Sequence, residues 1–388
     1  MTDYVINTLS ITPPAGGLKT YLVEILERLL EIDAGNNYLL LCSPLNRSVF
    51  AFANRFPNAT IQQLKRHPGG PVARVFYDQV IVPRIVARNR NAVLITPSSV
   101  ASLYARNRQV TLILAPLCLR SVRTTVPRSR STVTRLQALY FRLLMPLSMR
   151  RSSAVVAISH HLAKALEAEH GRHVDVVRAG VDAEPPQSGN ASESPDSAGP
   201  YVLFVSTLFP YKNVDRLLQG FAKMCARENV PADLVLKIAG RDPDGRQLVR
   251  LHALADTLGI AHRTQFLGPI PHEDIWPLYE RARVFVYPSS IETFGIPILE
   301  AMRADVPVVA ARRMSIPEVA GDAAILVDPD DIDALAMAME QVVNDDGLRA
   351  ALVRAGRIRV LGMNWDQSAR DMQAVLRRVA DSATHLET

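Results

Sequence analysis

The chain has 388 residues, enough for two domains, and its 48% hydrophobic and 21% charged residues suit a globular α/β protein and exclude a disordered or fibrous one. Cys42, Cys118 and Cys225 are odd in number and widely spaced, which excludes a disulfide framework or a cysteine metal cluster and fits a reducing compartment. The net charge is +6; no basic segment followed by an apolar run opens the sequence and no apolar run reaches membrane-spanning length, so neither a signal peptide nor a span is expected.

Residues 3–9 read as a first strand, Pro13 to Gly17 as a loop, and Leu18 to Leu30 as an amphipathic helix with Leu22, Ile25, Leu26 and Leu29 at helical spacing. A strand, the pair Gly16-Gly17 and a helix opening together form a geometry in which backbone can approach a phosphate. Strand-like runs follow at 38–42, 92–96, 110–114 and 154–159, alternating with helical segments, which predicts a mostly parallel doubly wound sheet. Ligands of such sheets sit beyond the carboxyl ends of the strands. His160 and His161 stand at one such end, where a helix-start role suits them better than acid–base work. Residues 183–200 are rich in Pro, Ser, Gly and acids and read as a linker.

The strand pattern restarts at Tyr201. Lys212 follows at a loop–helix junction, where an ammonium can meet a diphosphate. Arg241 comes after the next strand as a second candidate cation. Phe266 to Ile270 follow another strand-like segment, and a second strand at 283–287 comes after a helix from Asp274 to Ala282. Behind the second strand comes a loop holding Glu292, Thr293, Phe294 and Gly295, then a helix with Ile296 and Pro297 in its first turn and Glu300 about two turns in. A helix N-terminus behind a glycine suits an anion, and two carboxylates beside it suit hydroxyls.

The Glu292–Glu300 pair with Phe294-Gly295 between resembles the Glu-x7-Glu signature of retaining glycosyltransferases of family 4. The resemblance implies an α/β GT-B fold: two facing Rossmann-like domains with a deep interdomain cleft. It extends to Lys212-Asn213, Phe266 to Gly268 with Ile270 beside the nucleotide base, Ser315 to Gly321, Gly16-Gly17 at the donor phosphate, and Trp365 with a closing helix to Ala380. The expected division is an acceptor-side domain at 1–182, a linker at 183–200, a nucleotide-sugar domain at 201–362, and a C-terminal segment at 363–388 returning to the first domain.

The implied chemistry is retaining hexosyl transfer. Glu300 would hold the ribose, Glu292 a sugar hydroxyl, and Lys212 with the Gly16-Gly17 backbone and the amides of Phe294 and Gly295 the diphosphate, with Thr293 and Ile296 beside them in the donor site. No metal and no bound cofactor are expected, since the donor is a nucleotide-sugar substrate. GDP-mannose is favoured over a UDP-sugar, and a lipid-linked or oligosaccharide acceptor in surface glycan synthesis is the expected partner. Five places depart from the family pattern: Ala115-Pro116 for a His, Ala179 for an Asn, Ser206 for Gly, Thr207 for a phosphate-binding Arg, and Tyr211 for an Arg. A sugar-nucleotide 2-epimerase, a phosphorylase and a non-catalytic partner of a transferase remain alternatives.

The charge is uneven. No Asp or Glu lies between Asp78 and Glu167, while Arg84, Arg88, Arg106, Arg108, Arg120, Arg123, Arg128, Arg130, Arg135, Arg142, Arg150 and Arg151 do. With Leu136, Leu139, Tyr140, Phe141, Leu143, Leu144 and Met145 interspersed, this stretch reads as an interfacial helix for an anionic membrane surface. Nucleic acid is not expected, because no recognition motif accompanies the charge. A cytoplasmic protein, peripheral on the inner face of the membrane, is the corresponding expectation.

Overall fold

The computed structural model describes residues 1–11, 16–66, 69–125, 132–182, 199–243, 245–271 and 274–382, and only the backbone of residues 71, 123–125 and 132–138. The chain divides into two compact units, Met1–Ala179 with Trp365–Thr388, and Gly180–Asn364.

Unit 1 is built on strands β1 (Asp3–Asn7), β2 (Asn37–Cys42), β3 (Ala59–Gln63), β4 (Val93–Thr96), β5 (Gln109–Ile113), β6 (Ala154–Ala157) and β7 (Asp175–Val176). They pair in parallel in the order β3-β2-β1-β4-β5-β6-β7. The central strands β4, β5 and β6 are buried along their whole length, the pattern of a sheet covered on both faces. Val5, Leu9, Leu41, Val82 and Leu94 pack in its core. Strand β1 ends at Asn7, and Thr8–Ser10 form a tight turn, because the Asn7 side chain accepts from the Leu9 amide and closes it.

The terminal helix Trp365–Asp381 packs on the helix Gly17–Ile32 through Tyr21 against Trp365, with centroids 6.2 Å apart, and Arg28 Nε on Asp366 at 3.0 Å. Its Gln373 donates to Asp33 Oδ1 at 2.8 Å. Burial raises the Asp33 pKa, but hydrogen bonds from Tyr38, Asn36 and Gln373 outweigh it and leave the carboxylate below its ordinary value.

Unit 2 holds β8 (Tyr201–Val205), β9 (Val235–Ala239), β10 (Thr264–Gly268), β11 (Val284–Tyr287), β12 (Val308–Ala311) and β13 (Ala324–Val327), parallel throughout in the order β10-β9-β8-β11-β12-β13. Strands β8, β11 and β12 are wholly buried. The helix expected over Asp274 to Ala282 is confined to Trp276–Glu280, with Pro277 in its first turn. Most of the expected linker, residues 183–198, lies outside the described residues, as do Pro13 to Ala15 and the tail from 383.

Candidate active site

In unit 2 the chain runs from β8 outward to β9 and β10, then returns to place β11 on the other side of β8. The winding therefore reverses between β8 and β11, and the carboxyl ends of the two strands at such a point are where an open sheet places its ligand crevice. Lys212 sits in the first loop and Glu292 in the second.

Two sets of bonds stitch these loops together. Asn213, in the left-handed region at φ 57°, donates to Pro288 O at 2.8 Å and to Ser290 Oγ at 2.6 Å. The Ser290 amide donates to Tyr211 O at 2.9 Å. The β8 loop is also braced from β9: Leu208 N–H donates to Arg241 O at 2.9 Å, and Gly240, at φ +156°, lies so close that an added Cβ would stand 1.7 Å from Ser206 O. Only glycine fits there.

The clamp brings Lys212 Nζ onto Glu292 Oε1, with both side chains about nine-tenths buried. Lys212 also donates to Tyr287 OH at 2.9 Å, and that hydroxyl donates to Glu292 Oε1 at 2.8 Å. Burial, the Glu292 charge and its hydrogen bond raise the Tyr287 pKa well above the ordinary value, so the hydroxyl stays protonated, while Ser206 opposes the shift with a hydrogen bond of its own. The ammonium lies 5.6 Å from the Tyr211 ring centroid and 5.2 Å from that of Tyr287, within cation–π range of both. Burial pushes the Tyr211 hydroxyl up to about 12.

Glu300, on the helix Ile296–Arg303, is also buried and accepts from Tyr279 OH at 2.9 Å. Burial and the Glu300 charge hold the Tyr279 pKa well above its ordinary value. The helix starts behind Gly295, at φ +114°, so its first amides lack intrahelical acceptors beside a residue with no Cβ. Ser315 Oγ lies 3.0 Å from the carbonyl oxygens of both Glu292 and Phe294 and fixes the approach to that helix.

Lys212 and Glu292 thus share one buried network, and Glu300 stands near enough to influence Tyr287 electrostatically. Phe294 and Ile296 are buried, Gly295 sits between them and Thr293 is half-buried. Arg241 contributes its backbone carbonyl to the β8 loop while its side chain is exposed, and Ile270 is half-buried beyond the end of β10, two strands from β8.

Gly16 and Gly17 belong to unit 1, where both are exposed and Gly16 precedes the first turn of the helix Gly17–Ile32. His160 and His161 are the exposed first residues of a helix capped by Ser159 Oγ. Pro116 starts a short turn after β5, and the Ala115 amide donates to Ser99 Oγ at 3.3 Å.

Tyr287, Tyr279 and Ser315 are the partners that sequence reasoning did not assign. A tyrosine closing an otherwise aliphatic and aromatic buried strand, five residues before a loop glutamate, was the available signal for Tyr287.

Residues 190–359 match the glycosyl transferases group 1 family. This segment, somewhat under half of the chain, is similar to that family. The O-antigen chain mannosyltransferase B of Escherichia coli is 36% identical over 168 residues, 43% of this chain and 42% of that protein. The D-inositol 3-phosphate glycosyltransferase of Corynebacterium diphtheriae is 32% identical over 176 residues, 45% of this chain and 41% of that protein. The chain thus spans less than half the length of these two relatives in the matched region. The whole chain shares its fold with sucrose-phosphate synthase from Thermosynechococcus elongatus, at TM-score 0.77 and 19% identity, covering 98% of this chain and 100% of that one. The group 1 segment contains Lys212, Glu292, Glu300 and both tyrosines, so the family match and the buried network fall in the same unit.

Proposed function

We propose that this chain transfers a hexosyl group, mannose by preference, from a nucleoside diphosphate sugar to a hydroxyl of a lipid-linked or oligosaccharide acceptor, with retention at the anomeric carbon. The observation that carries the reading is the buried Lys212–Glu292–Tyr287 network at the β8/β11 crevice, beside a helix N-terminus and a second buried carboxylate. The 36% identity to a mannosyltransferase supports mannose, and GDP-mannose as donor accords with it.

In this reading the bond between the anomeric carbon and the diphosphate oxygen breaks as the acceptor oxygen bonds to the same face of that carbon. The acceptor proton passes to the departing diphosphate. Negative charge grows on the phosphate side, where the Lys212 ammonium and the amides opening the helix Ile296–Arg303 stabilise it, fixed donors of this kind being worth about 3 kcal/mol each in a transition state. Lys212 has three N–H bonds and gives one each to Glu292 and Tyr287, so the third remains for the phosphate. Glu292 orients a sugar hydroxyl, and Glu300 accepts from the ribose hydroxyls.

A donor screen tests this. The protein is incubated with GDP-mannose, UDP-glucose or other nucleotide sugars and a membrane lipid extract, and products are read by mass. A hexose added to lipid from GDP-mannose is the expected result. Absence of product with every donor, together with no thermal stabilisation by GDP or UDP, contradicts it.

A further inference from the structure

The helix Thr132–Arg151 in unit 1 has apolar side chains on two sides. Inward it buries Met145 and Met149 to 1% and 2% exposure, so Met145, expected at an interface, belongs to the core. Tyr140 is likewise turned toward the protein, where its hydroxyl bonds Gln79. Outward, Leu139, Leu143 and Leu147 are 47%, 58% and 48% exposed. They recur every four residues and so form one stripe along the helix. Arg150 falls within this stripe and is exposed, and Arg142, one residue before Leu143, is exposed at its margin. A nearby helix, Gly70–Phe76, adds exposed Val72 and Phe76 at the same spacing.

A solvated helix face ordinarily carries acids as well as bases. This one has none to offer, since no Asp or Glu occurs from Gln79 to Leu166. Some arginines of that stretch serve the fold: Arg108 donates to Val379 O and Asn91 O, and Arg151 to Asn107 O. Arg84, Arg88, Arg106, Arg142 and Arg150 remain exposed. Exposed leucines flanked by cations alone match a surface with an apolar interior and anionic headgroups. No helix among the described residues is long and apolar enough to cross a membrane, so this helix would lie along the interface.

We propose that the outward face of the helix Thr132–Arg151, with Leu139, Leu143 and Leu147 beside Arg142 and Arg150, seats unit 1 on an anionic lipid bilayer surface. The leucines enter the acyl boundary and the guanidinium groups meet the lipid phosphates. The contact is independent of the β8/β11 network, so lipid binding and nucleotide binding can fail separately.

Cosedimentation with vesicles tests it, using equimolar phosphatidylglycerol and phosphatidylcholine against phosphatidylcholine alone. The wild-type chain should pellet with the anionic vesicles and far less with the neutral ones. Leu139→Gln, Leu143→Gln and Leu147→Gln combined should lower partitioning roughly a hundredfold with GDP stabilisation unchanged. Arg142→Gln with Arg150→Gln should lower it roughly twentyfold at low salt and little at high salt. To separate membrane contact from any effect of the triple variant on folding, Leu143→Cys in a Cys225→Ser background, labelled with a polarity-sensitive dye, gives a second readout, with blue-shifted emission expected only on anionic vesicles. Equal pelleting of wild type and triple variant, an unshifted dye, or a leucine-dependent dimer in sedimentation velocity without vesicle binding would each overturn the proposal. The last result would assign the stripe to a second copy of the chain.

Discussion

The two units arrange their strands alike around the first strand of each, β3-β2-β1-β4 in one and β10-β9-β8-β11 in the other, yet the loops at equivalent places carry different chemistry. In unit 2 the loops after β8 and β11 hold a buried ion pair, a protonated tyrosine between its partners and a braced backbone. At the ends of β1 and β4 unit 1 carries uncharged side chains: Asn7 donating at 2.7 Å to the buried Asp78, itself 3.7 Å from Arg74, Thr8 donating to Leu41 O at 2.7 Å, and Ser99 accepting from the Leu114 amide at 3.1 Å. A doubly wound sheet supplies the crevice; the residues placed at its rim decide what can happen there. The family match covers the unit with the charged rim.

Breaking the ion pair should give the largest effect. Lys212→Ala leaves Glu292 buried without its cation, and unit 2 should lose about 3 kcal/mol in urea denaturation, along with hexosyl transfer. Lys212→Met combined with Glu292→Leu should restore most of the stability and none of the transfer. A stable and active Lys212→Ala chain would remove the pair from the account.

Glycine substitutions sharpen the contrast between the loops. Gly240→Ala drives a methyl into the Ser206 carbonyl, and a loss of about 3 kcal/mol is expected in denaturant melts. Gly16→Ala in unit 1 meets nothing within 4 Å and should change stability by less than about 0.5 kcal/mol.

Tyr287→Phe keeps the ring and removes the hydroxyl that holds Lys212 and Glu292 in register. The transfer rate should fall about tenfold with KM for donor little changed, an effect of about 1.4 kcal/mol on the transition state. A change confined to KM would instead place the hydroxyl on the ground-state donor.

The smallest expected effect separates unit 1 by pH. The Asp33 carboxylate has a lowered pKa in the folded chain, so its contribution is full above the unfolded value and disappears as pH falls through the folded one. Between roughly pH 5 and 3 the wild-type Tm should therefore fall more than that of Asp33→Asn. Parallel curves would show that the hydrogen bonds from Tyr38 and Gln373 do not favour the charged form.

Much of this was legible before the fold. Fully apolar runs such as Val284 to Tyr287 announce buried parallel strands, and Gly295 before Pro297 announces a helix start, because backbone geometry restricts which residues serve there. The sequence also marked Lys212, Glu292 and Glu300 as candidates, but not that Lys212 and Glu292 touch, since contacts 80 residues apart depend on strand order. Periodicity also could not tell Met145 from Leu143. Both are apolar and helical, and only the packing of that helix decides which one turns inward. The short strand β3 escaped for a related reason: its Gln62 and Gln63 lie at a half-covered sheet edge with no clear alternation.

The central claim is that the buried acids and the lysine at the carboxyl ends of β8 and β11 grip a nucleotide sugar, and calorimetric titration of GDP-mannose tests it most directly. Wild-type chain should bind. Glu300→Gln should bind roughly tenfold more weakly or worse, as expected for loss of a charge-assisted hydrogen bond of about 1.5–3 kcal/mol. The stability-matched Lys212→Met, Glu292→Leu chain should bind more weakly still. Equal heats and equal affinity across all three would contradict the account.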